Sequence, residues 1–508
     1  MLYPLQHSHL RDIDMDPLPQ KRKASVSNAK SPEKHARVVS TRLKVSHVES
    51  SPSATNGSKV SFVPRNLQAC LGGIPEELVL NIMQHLEDDP DALAKLCITD
   101  ARCNRIAREV LYERISCTPS HYDKALAIAR NRSLADCLRD FHWQFGEGIE
   151  IRRGGLDSPG WVDGETVRRE LAVALGNARN IETIAIAQPF FRVSSANDEA
   201  ARNPYWIHVF NSTVTPTMDE GHNRFTHLTE ISITSRTNSI EEMSSLFRLP
   251  SLGFLQLSWV PQTTPFQNWT IPNSTCPIKD LSFKNSMVDI SALTQMISSM
   301  KALQNLHYGR DTHFWEPFGT EENPFSVWPE HSWEHLGDAL RQHRSSLETF
   351  DVFDDSDSSI LDELYPDGKN FGVLGSFHDF QELVAVKAPP DAFLDIAGGE
   401  HDLSSCLPAH LKDFRMILTE IESLDHLPPV VASLKDVVCV GPEPFVRLDM
   451  TRIQLEHTPD LSGAVTTLEK AGIRVKIEAD GFSFTPEDLR RMESDGEEGG
   501  TDIEEADI

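Results

Sequence analysis

Few residues in this sequence are spaced for chemistry. His331-Ser332-Trp333-Glu334-His335 follows the order H-x-x-E-H, in which two imidazoles one helical turn apart hold a zinc ion. Taken alone, that order would make His331, Glu334 and His335 the centre of a metallopeptidase. Trp333, Leu336 and Leu340 account for the same segment as an ordinary amphipathic helix, and a match of this length arises easily by accident among 20 histidines. Asp354-Asp355-Ser356-Asp357 offers carboxylates but lacks the glycine and terminal glutamate of a calcium loop, so it is expected to be a solvated acidic loop. The eight cysteines (70, 97, 103, 117, 137, 276, 406 and 439) are scattered singly with no C-x-x-C pair. They are expected as buried, reduced thiols and not as a zinc site. No G-x-S-x-G, no G-x-x-x-x-G-K-S/T and no G-x-G-x-x-G occurs. The expectation is a protein that is not an enzyme, with no catalytic residue, metal or cofactor.

What must such a chain do instead? Its 508 residues carry 48 Lys+Arg against 76 Asp+Glu, a net charge of −28. That surplus repels a phosphate backbone, so nucleic acid is not an expected partner. No run of 18 apolar residues exists, and Met1 to Leu18 lacks a secretory apolar stretch, so neither a membrane nor an export route is expected. An intracellular protein of the nucleus or cytoplasm is predicted. The five N-x-S/T sequons, at Asn56, Asn131, Asn211, Asn268 and Asn273, then say nothing of glycans. Residues 1–66 hold eleven Lys/Arg and five Asp/Glu and are predicted to be a disordered basic arm, with Lys21-Arg22-Lys23 a nuclear-import signal or simply solvated charge. Residues 487–508 hold ten Asp/Glu and two Arg and are predicted to be a disordered acidic tail. Removing +6 and −8 from −28 leaves −26 on the body, so a steered partner is expected to be basic.

Between these arms, residues 70–117 carry three helical patterns. Ile74, Leu78, Ile82 and Leu86 recur every fourth residue, a narrow stripe on one helix face. Pro75 is placed at the first helical position, followed by Glu76 and Glu77, which suit the positive end of the dipole. Asp89-Pro90 opens a second helix bearing Leu93, Leu96 and Cys97, and Cys103, Ile106, Ala107, Val110 and Leu111 make the stripe of a third. So short a unit buries little surface and needs another surface to lean on. The run Leu71-Gly72-Gly73-Ile74-Pro75-Glu76-Glu77-Leu78 through Leu86 resembles the opening of an F-box, and Leu93 to Tyr112 resembles the rest of that motif in fungal proteins. One departure is Asn104 after Cys103, where the motif often has a tryptophan nearby. The resemblance covers about 45 of 508 residues. It implies docking on the Skp-type adaptor of a cullin complex, with Leu71, Ile74, Pro75, Leu78, Ile82 and Leu86 as contacts.

From about residue 130 to 480 an apolar-x-x-apolar-x-apolar hexad recurs. It runs clearly from Leu138-x-x-Phe141-x-Trp143 through Ile181, Leu228, Leu252, Ile278 and Leu303, and less cleanly from Leu347, Phe380, Leu411 and Leu434. The central steps of 24, 26 and 25 residues match the cadence of leucine-rich repeats, while steps of 43 to 47 imply insertions such as Arg192–Phe225 and Gly309–Pro329. In each hexad the last two apolar residues point to one side of a short strand. Helical patterns follow at Glu165–Asn180, Ile240–Phe247, Ile290–Met300 and Trp333–Arg344. The chain thus resembles the fungal F-box/leucine-rich-repeat class, and the predicted fold is α/β: a three-helix F-box-like module, then an irregular leucine-rich-repeat solenoid, with disordered termini. The residue between the paired apolar positions is expected on the concave face: His142, Ala185, Ser232, Gln256, Ser282, His307, Asp351, Val384, Arg415 and Val438. Of these, His142, Ser232, Gln256, Ser282, His307, Asp351 and Arg415 are expected to bind a protein substrate. By this resemblance the chain is the substrate-recognition subunit of an SCF-type ubiquitin ligase. The alternative is a non-catalytic repeat scaffold whose helical module only caps the array.

Overall fold

Three helices form where the sequence carries its three helical patterns. The computed structural model of the chain describes residues 73–87, 89–116, 122–144, 164–187, 205–214, 225–236, 238–311, 330–355, 371–393, 403–419, 445–450, 461–470, 472–479, 482–485 and 487–488. The basic arm lies outside them, as does the acidic tail beyond residue 488. Helix α1 spans Glu76–Gln84, with Pro75 one residue earlier than expected, at the N-cap. Helix α2, Pro90–Cys97, is capped by Asp89, whose carboxylate accepts from the Ala92 amide at 2.9 Å. Helix α3, Ala101–Glu113, is capped by Asp100, which accepts from the Arg102 and Cys103 amides. Val79, Met83, Leu93, Cys103, Ile106, Ala107 and Val110 close a core of their own, separate from that of the sheet.

The last residue of α3 passes directly into strand β1, Arg114–Ser116. The strands that follow are β2 Asp140–Gln144, β3 Thr183–Ala187, β4 Glu230–Thr234, β5 Phe254–Ser258, β6 Pro261–Gln262, β7 Asp280–Lys284, β8 Met287–Val288, β9 Asn305–Asp311, β10 Thr349–Asp355, β11 Ala385–Ala388, β12 Asp413–Thr419, β13 Phe445–Met450, β14 Arg474–Ala479 and β15 Phe482–Phe484. Thirteen of them form one sheet in chain order, with β6 and β8 paired apart. Every neighbouring pair is parallel except β14 with β15. The connections carry α4 Tyr122–Arg130, α5 Arg132–Ala135, α6 Gly164–Asn177, α7 Tyr205–Val214, α8 Ile290–Ser299, α9 Trp333–Leu340, α10 Leu403–Cys406 and α11 Leu461–Lys470. Among the described residues no helix is long and apolar enough to cross a membrane.

The α/β class holds, but the expected irregular leucine-rich-repeat solenoid is corrected. The chain builds a single large, laterally continuous and almost wholly parallel sheet, its register unbroken from His142 on β2 to Arg415 on β12. The uneven steps that suggested irregularity sit in the connections, and connection length does not alter which residues pair across a ladder.

The paired apolar positions are the buried ones: Phe141 and Trp143, Ile184 and Ile186, Ile231 and Ile233, Leu255 and Leu257, Leu281 and Phe283, Leu306 and Tyr308, Phe350 and Val352, Phe414 and Met416. With helices covering that side, strands so patterned bury one face and leave the other polar. At β11 the expected frame is wrong. The strand begins at Ala385 and buries Val386 and Ala388, so the hexad there is Leu383-x-x-Val386-x-Ala388, three residues later than expected. Phe380 and Leu383 are buried too, in the turn before the strand, which made the earlier frame look equally apolar. The hexad beginning at Leu434 lies outside the described residues.

The connections bring two further corrections. Ile240–Phe247 is not an α-helix but a turn leading into a 3-10 helix, Ser244–Arg248. Tighter winding suits this short link and still buries Ile240, Met243, Leu246 and Phe247. Within the expected insertion Arg192–Phe225, α7 buries Trp206, Ile207 and Phe210, and the Phe210 and Phe225 rings meet at 5.1 Å.

Candidate functional site

Because the strands are in register, the residue between each buried pair lands in one row across the sheet. That row runs His142, Ala185, Ser232, Gln256, Ser282, His307, Asp351, Lys387, Arg415, with Ser116 of β1 aligned to His142. All seven residues expected on the capture face therefore fall in this row, interrupted by Ala185 and Lys387, and Ser282 among them is buried. Val384 is not among them: it precedes β11, and Lys387 occupies the place. Val438 lies outside the described residues. Along the first half of the row, Gln256 Nε2 donates to Ser232 Oγ at 3.1 Å.

Charge gathers in the last part of the row. Asp351, half-buried, lies between neighbours on both sides: His307 Nδ1 is 3.0 Å from its Oδ2, and Lys387 Nζ is 3.1 Å from its Oδ1. Burial alone would push the Asp351 carboxyl up. The hydrogen bond from His307 and the nearby Lys387 charge outweigh burial and hold it below the usual carboxylate range. Two residues along the strand, the Phe353 ring meets that of His307 at 5.5 Å, and Lys387 Nζ stands 5.0 Å from its centre. Phe353 can take this position because its ladder partner is Gly309: a Cβ there would stand 2.4 Å from Phe353 Cζ. Sequence reasoning missed Lys387 through the frame error, and missed Phe353 although period-two alternation from Asp351 puts it on the same face.

Ser282, His307 and Asp351 occupy matching positions on three neighbouring strands, with the imidazole–carboxylate half of a serine triad in place. No hydrogen bond joins Ser282 to His307, so the nucleophile–base contact of such a triad is not made. The H-x-x-E-H segment is not a zinc helix. His331 precedes the N-cap Ser332, whose hydroxyl accepts from the His335 amide, so the two imidazoles are not on successive turns. His331 is instead buried edge-on against Trp333 and Phe371. Among the described residues no group of three or more His, Cys, Asp and Glu could hold a metal ion. Asp354 and Asp355 end β10, while Ser356 and Asp357 lie outside the described residues.

The second candidate is the outer side of α1. Its inward stripe is Val79 and Met83, one residue out of phase with the expected stripe, which turns Leu78 and Ile82 by about 100° away from the core. They are 52% and 48% exposed. Ile74 and Leu86 pack partly against the module's core, Pro75 is exposed, and Leu71 lies outside the described residues. Arg102 Nη2 donates to the Ile74 carbonyl at 2.6 Å and Arg105 pairs with Glu76, tying the start of α3 to the start of α1. The hydrogen bond from Arg105 holds the Glu76 carboxyl below its ordinary range. Ile98, just past α2, is 85% exposed. It follows the last helical residue, so no periodicity in the sequence flags it.

Against known proteins, no family model matches the chain and no curated protein matches it.

Proposed function

We propose that this chain is the substrate-recognition subunit of a cullin-RING, SCF-type ubiquitin ligase. Its helical module docks a Skp-type adaptor, and the polar face of its sheet holds a protein substrate. The observation that carries this reading is the outward placement of Leu78 and Ile82 on a helix whose inner face already closes a core with Val79 and Met83. Apolar side chains presented in this way gain by entering a partner's groove. Catalysis by such a subunit is proximity: it raises the effective concentration of substrate lysines near a conjugating enzyme that other subunits bring. No residue of this chain then needs to act on the substrate chemically. The basic run Lys21-Arg22-Lys23 fits nuclear import, with the cytoplasm as the other compartment.

One observation favours a second reading, in which the module only caps the sheet of a scaffold: α3 enters β1 without a linker, and Arg114 joins Glu87 at 3.1 Å to Asp140 at 2.8 Å. Co-purification with a Skp-type adaptor separates the two. Leu78→Asp with Ile82→Asp abolishes adaptor retention under the ligase reading while circular dichroism stays unchanged. Retention that survives both substitutions defeats the docking claim. Slow amide exchange throughout residues 70–117 of the isolated protein favours the cap.

A further inference from the structure

The side chains around Asp351 already hold one cation, that of Lys387. Lys387 Nζ sits 3.1 Å from Asp351 Oδ1 and 3.3 Å from Oδ2, and 5.0 Å from the centre of the Phe353 ring. An ammonium on a flexible stem thus bridges a carboxylate and an aromatic ring on the exposed side of the sheet. A guanidinium suits the same two groups better. Its planar fork matches both carboxylate oxygens, its flat face stacks on a ring, and it gives up water more readily than an ammonium.

We propose that the Asp351–Phe353 pair is an arginine-recognition site for the captured protein segment, and that Lys387 is an intramolecular placeholder displaced when an arginine side chain enters. This rests on the reading of the sheet's polar face as the capture surface, and it names the chemistry of what is captured. Three observations support it. The carboxylate is held ionised by its neighbours, so it is ready to accept a cation. Gly309 leaves room that any side chain would fill, so the ring lies across the neighbouring strand beside the carboxylate. The chain's net charge of −28 draws basic segments toward it. His307 remains as the second partner of Asp351 after Lys387 leaves, 3.0 Å away, so the carboxylate keeps its orientation through the exchange.

The test is fluorescence anisotropy of a labelled tetra-arginine peptide on the purified full chain at about 0.15 M salt, with tetra-citrulline as the uncharged counterpart. The peptide binds and its citrulline counterpart does not. Asp351→Asn weakens binding about tenfold, the loss of one charge-assisted bidentate contact. Phe353→Leu weakens it several-fold. The decisive sign is that of Lys387→Met: removing the placeholder strengthens binding about three- to tenfold. Lys301→Met makes the same change in net charge at an exposed position in the turn before β9, away from the polar face, and leaves affinity within about twofold. Unchanged or weakened binding in Lys387→Met overturns the proposal, as does an equal gain in Lys301→Met or undiminished binding in Asp351→Asn. Should Asp351→Asn lose its native circular dichroism, Phe353→Leu and Lys387→Met decide alone. The adaptor takes no part in this measurement, so its failure is distinct from a failure of adaptor retention.

Discussion

The helical module and the sheet are built from aliphatic stripes that look alike in sequence but end up on opposite sides of their surfaces. In the sheet, the residues that recur are the residues that are buried: Leu255 and Leu257 lie inside, and Gln256 between them is on the polar side. In the module, the most regular stripe, Leu78 with Ile82, is the one left outside, and the core is made by Val79 and Met83 beside it. A strand reverses face at every residue, so its pattern leaves one choice of inside. A helix turns by only about 100° per residue, so two adjacent apolar stripes compete for the core and the loser becomes a surface. The sheet buries its recurring apolar residues, and the module leaves Leu78 and Ile82 exposed.

The largest expected effects are in the sheet. Leu281→Ala removes a side chain closed in on every side and is expected to cost about 2–5 kcal/mol, read as a lower urea midpoint with unchanged slope. Gly337→Ala, on α9, is expected to cost about 1–3 kcal/mol or more, because its Cβ would stand 1.9 Å from the backbone oxygen of Leu374 and neither backbone can yield cheaply. Gly309→Ala meets only the Phe353 ring, which can rotate away, so it costs less than Gly337→Ala while displacing the ring from Lys387. If Gly309→Ala proved the more damaging of the two, the polar face would be part of the rigid scaffold and not a surface poised for exchange.

A smaller effect is tied to pH. His343 lies buried below the sheet, accepting from the Leu303 amide at Nδ1, 3.3 Å away, with Nε2 2.9 Å from the Ile297 carbonyl. This arrangement holds the neutral ring, with the proton on Nε2. Burial lowers its proton affinity, and the Ile297 carbonyl opposes this only in part. The folded state therefore binds fewer protons than the unfolded state once pH falls below the ordinary histidine value of about 6.5, and stability falls with it. Asp351 works in another window. Its depressed folded value adds stability above the ordinary carboxylate range, and that stability is lost only as pH falls through the folded value. Urea midpoints measured between pH 7.5 and 5.5 should decline in the wild type and flatten in His343→Gln, while Asp351→Asn leaves the decline in place.

Much of this was legible in the sequence, for reasons that differ by region. The row from His142 to Asp351 could be read off because each hexad fixes the face of its strand, and parallel pairing then aligns the faces. The place of Lys387 could not, since Phe380 and Leu383 are as apolar as Leu383 and Val386, and only the start of β11 tells the frames apart. The single continuous sheet was hidden by unequal connections, and α7 by its position in a stretch that resembled an insertion. The cap at Asp89 was legible, a short polar side chain before a proline and an apolar period, whereas Asp100 and Ser332, which open α3 and α9, were not read from the sequence. The inner stripe of α1 was not legible, because Val79 and Met83 are no more apolar than Leu78 and Ile82. What selects them is the packing of α3, which Arg102 and Arg105 draw against the first turn of α1.

The finest test of the contrast uses neighbours on one helix. Met83→Ala opens a hole in the small core that Val79, Leu93 and Ile106 share, and is expected to cost about 2–5 kcal/mol, with loss of helical signal from a module too small to absorb it. Ile82→Ala, one residue away, removes a side chain already 48% exposed and is expected to change stability by no more than about 0.5 kcal/mol. Under the docking proposal its effect is expected only in adaptor retention, where a truncated anchor weakens capture while the helix stays intact. The reverse outcome, with Ile82→Ala unfolding the module and Met83→Ala harmless, would mean that the stripe expected from sequence is the true inner face of α1 and that its outer side offers nothing to an adaptor.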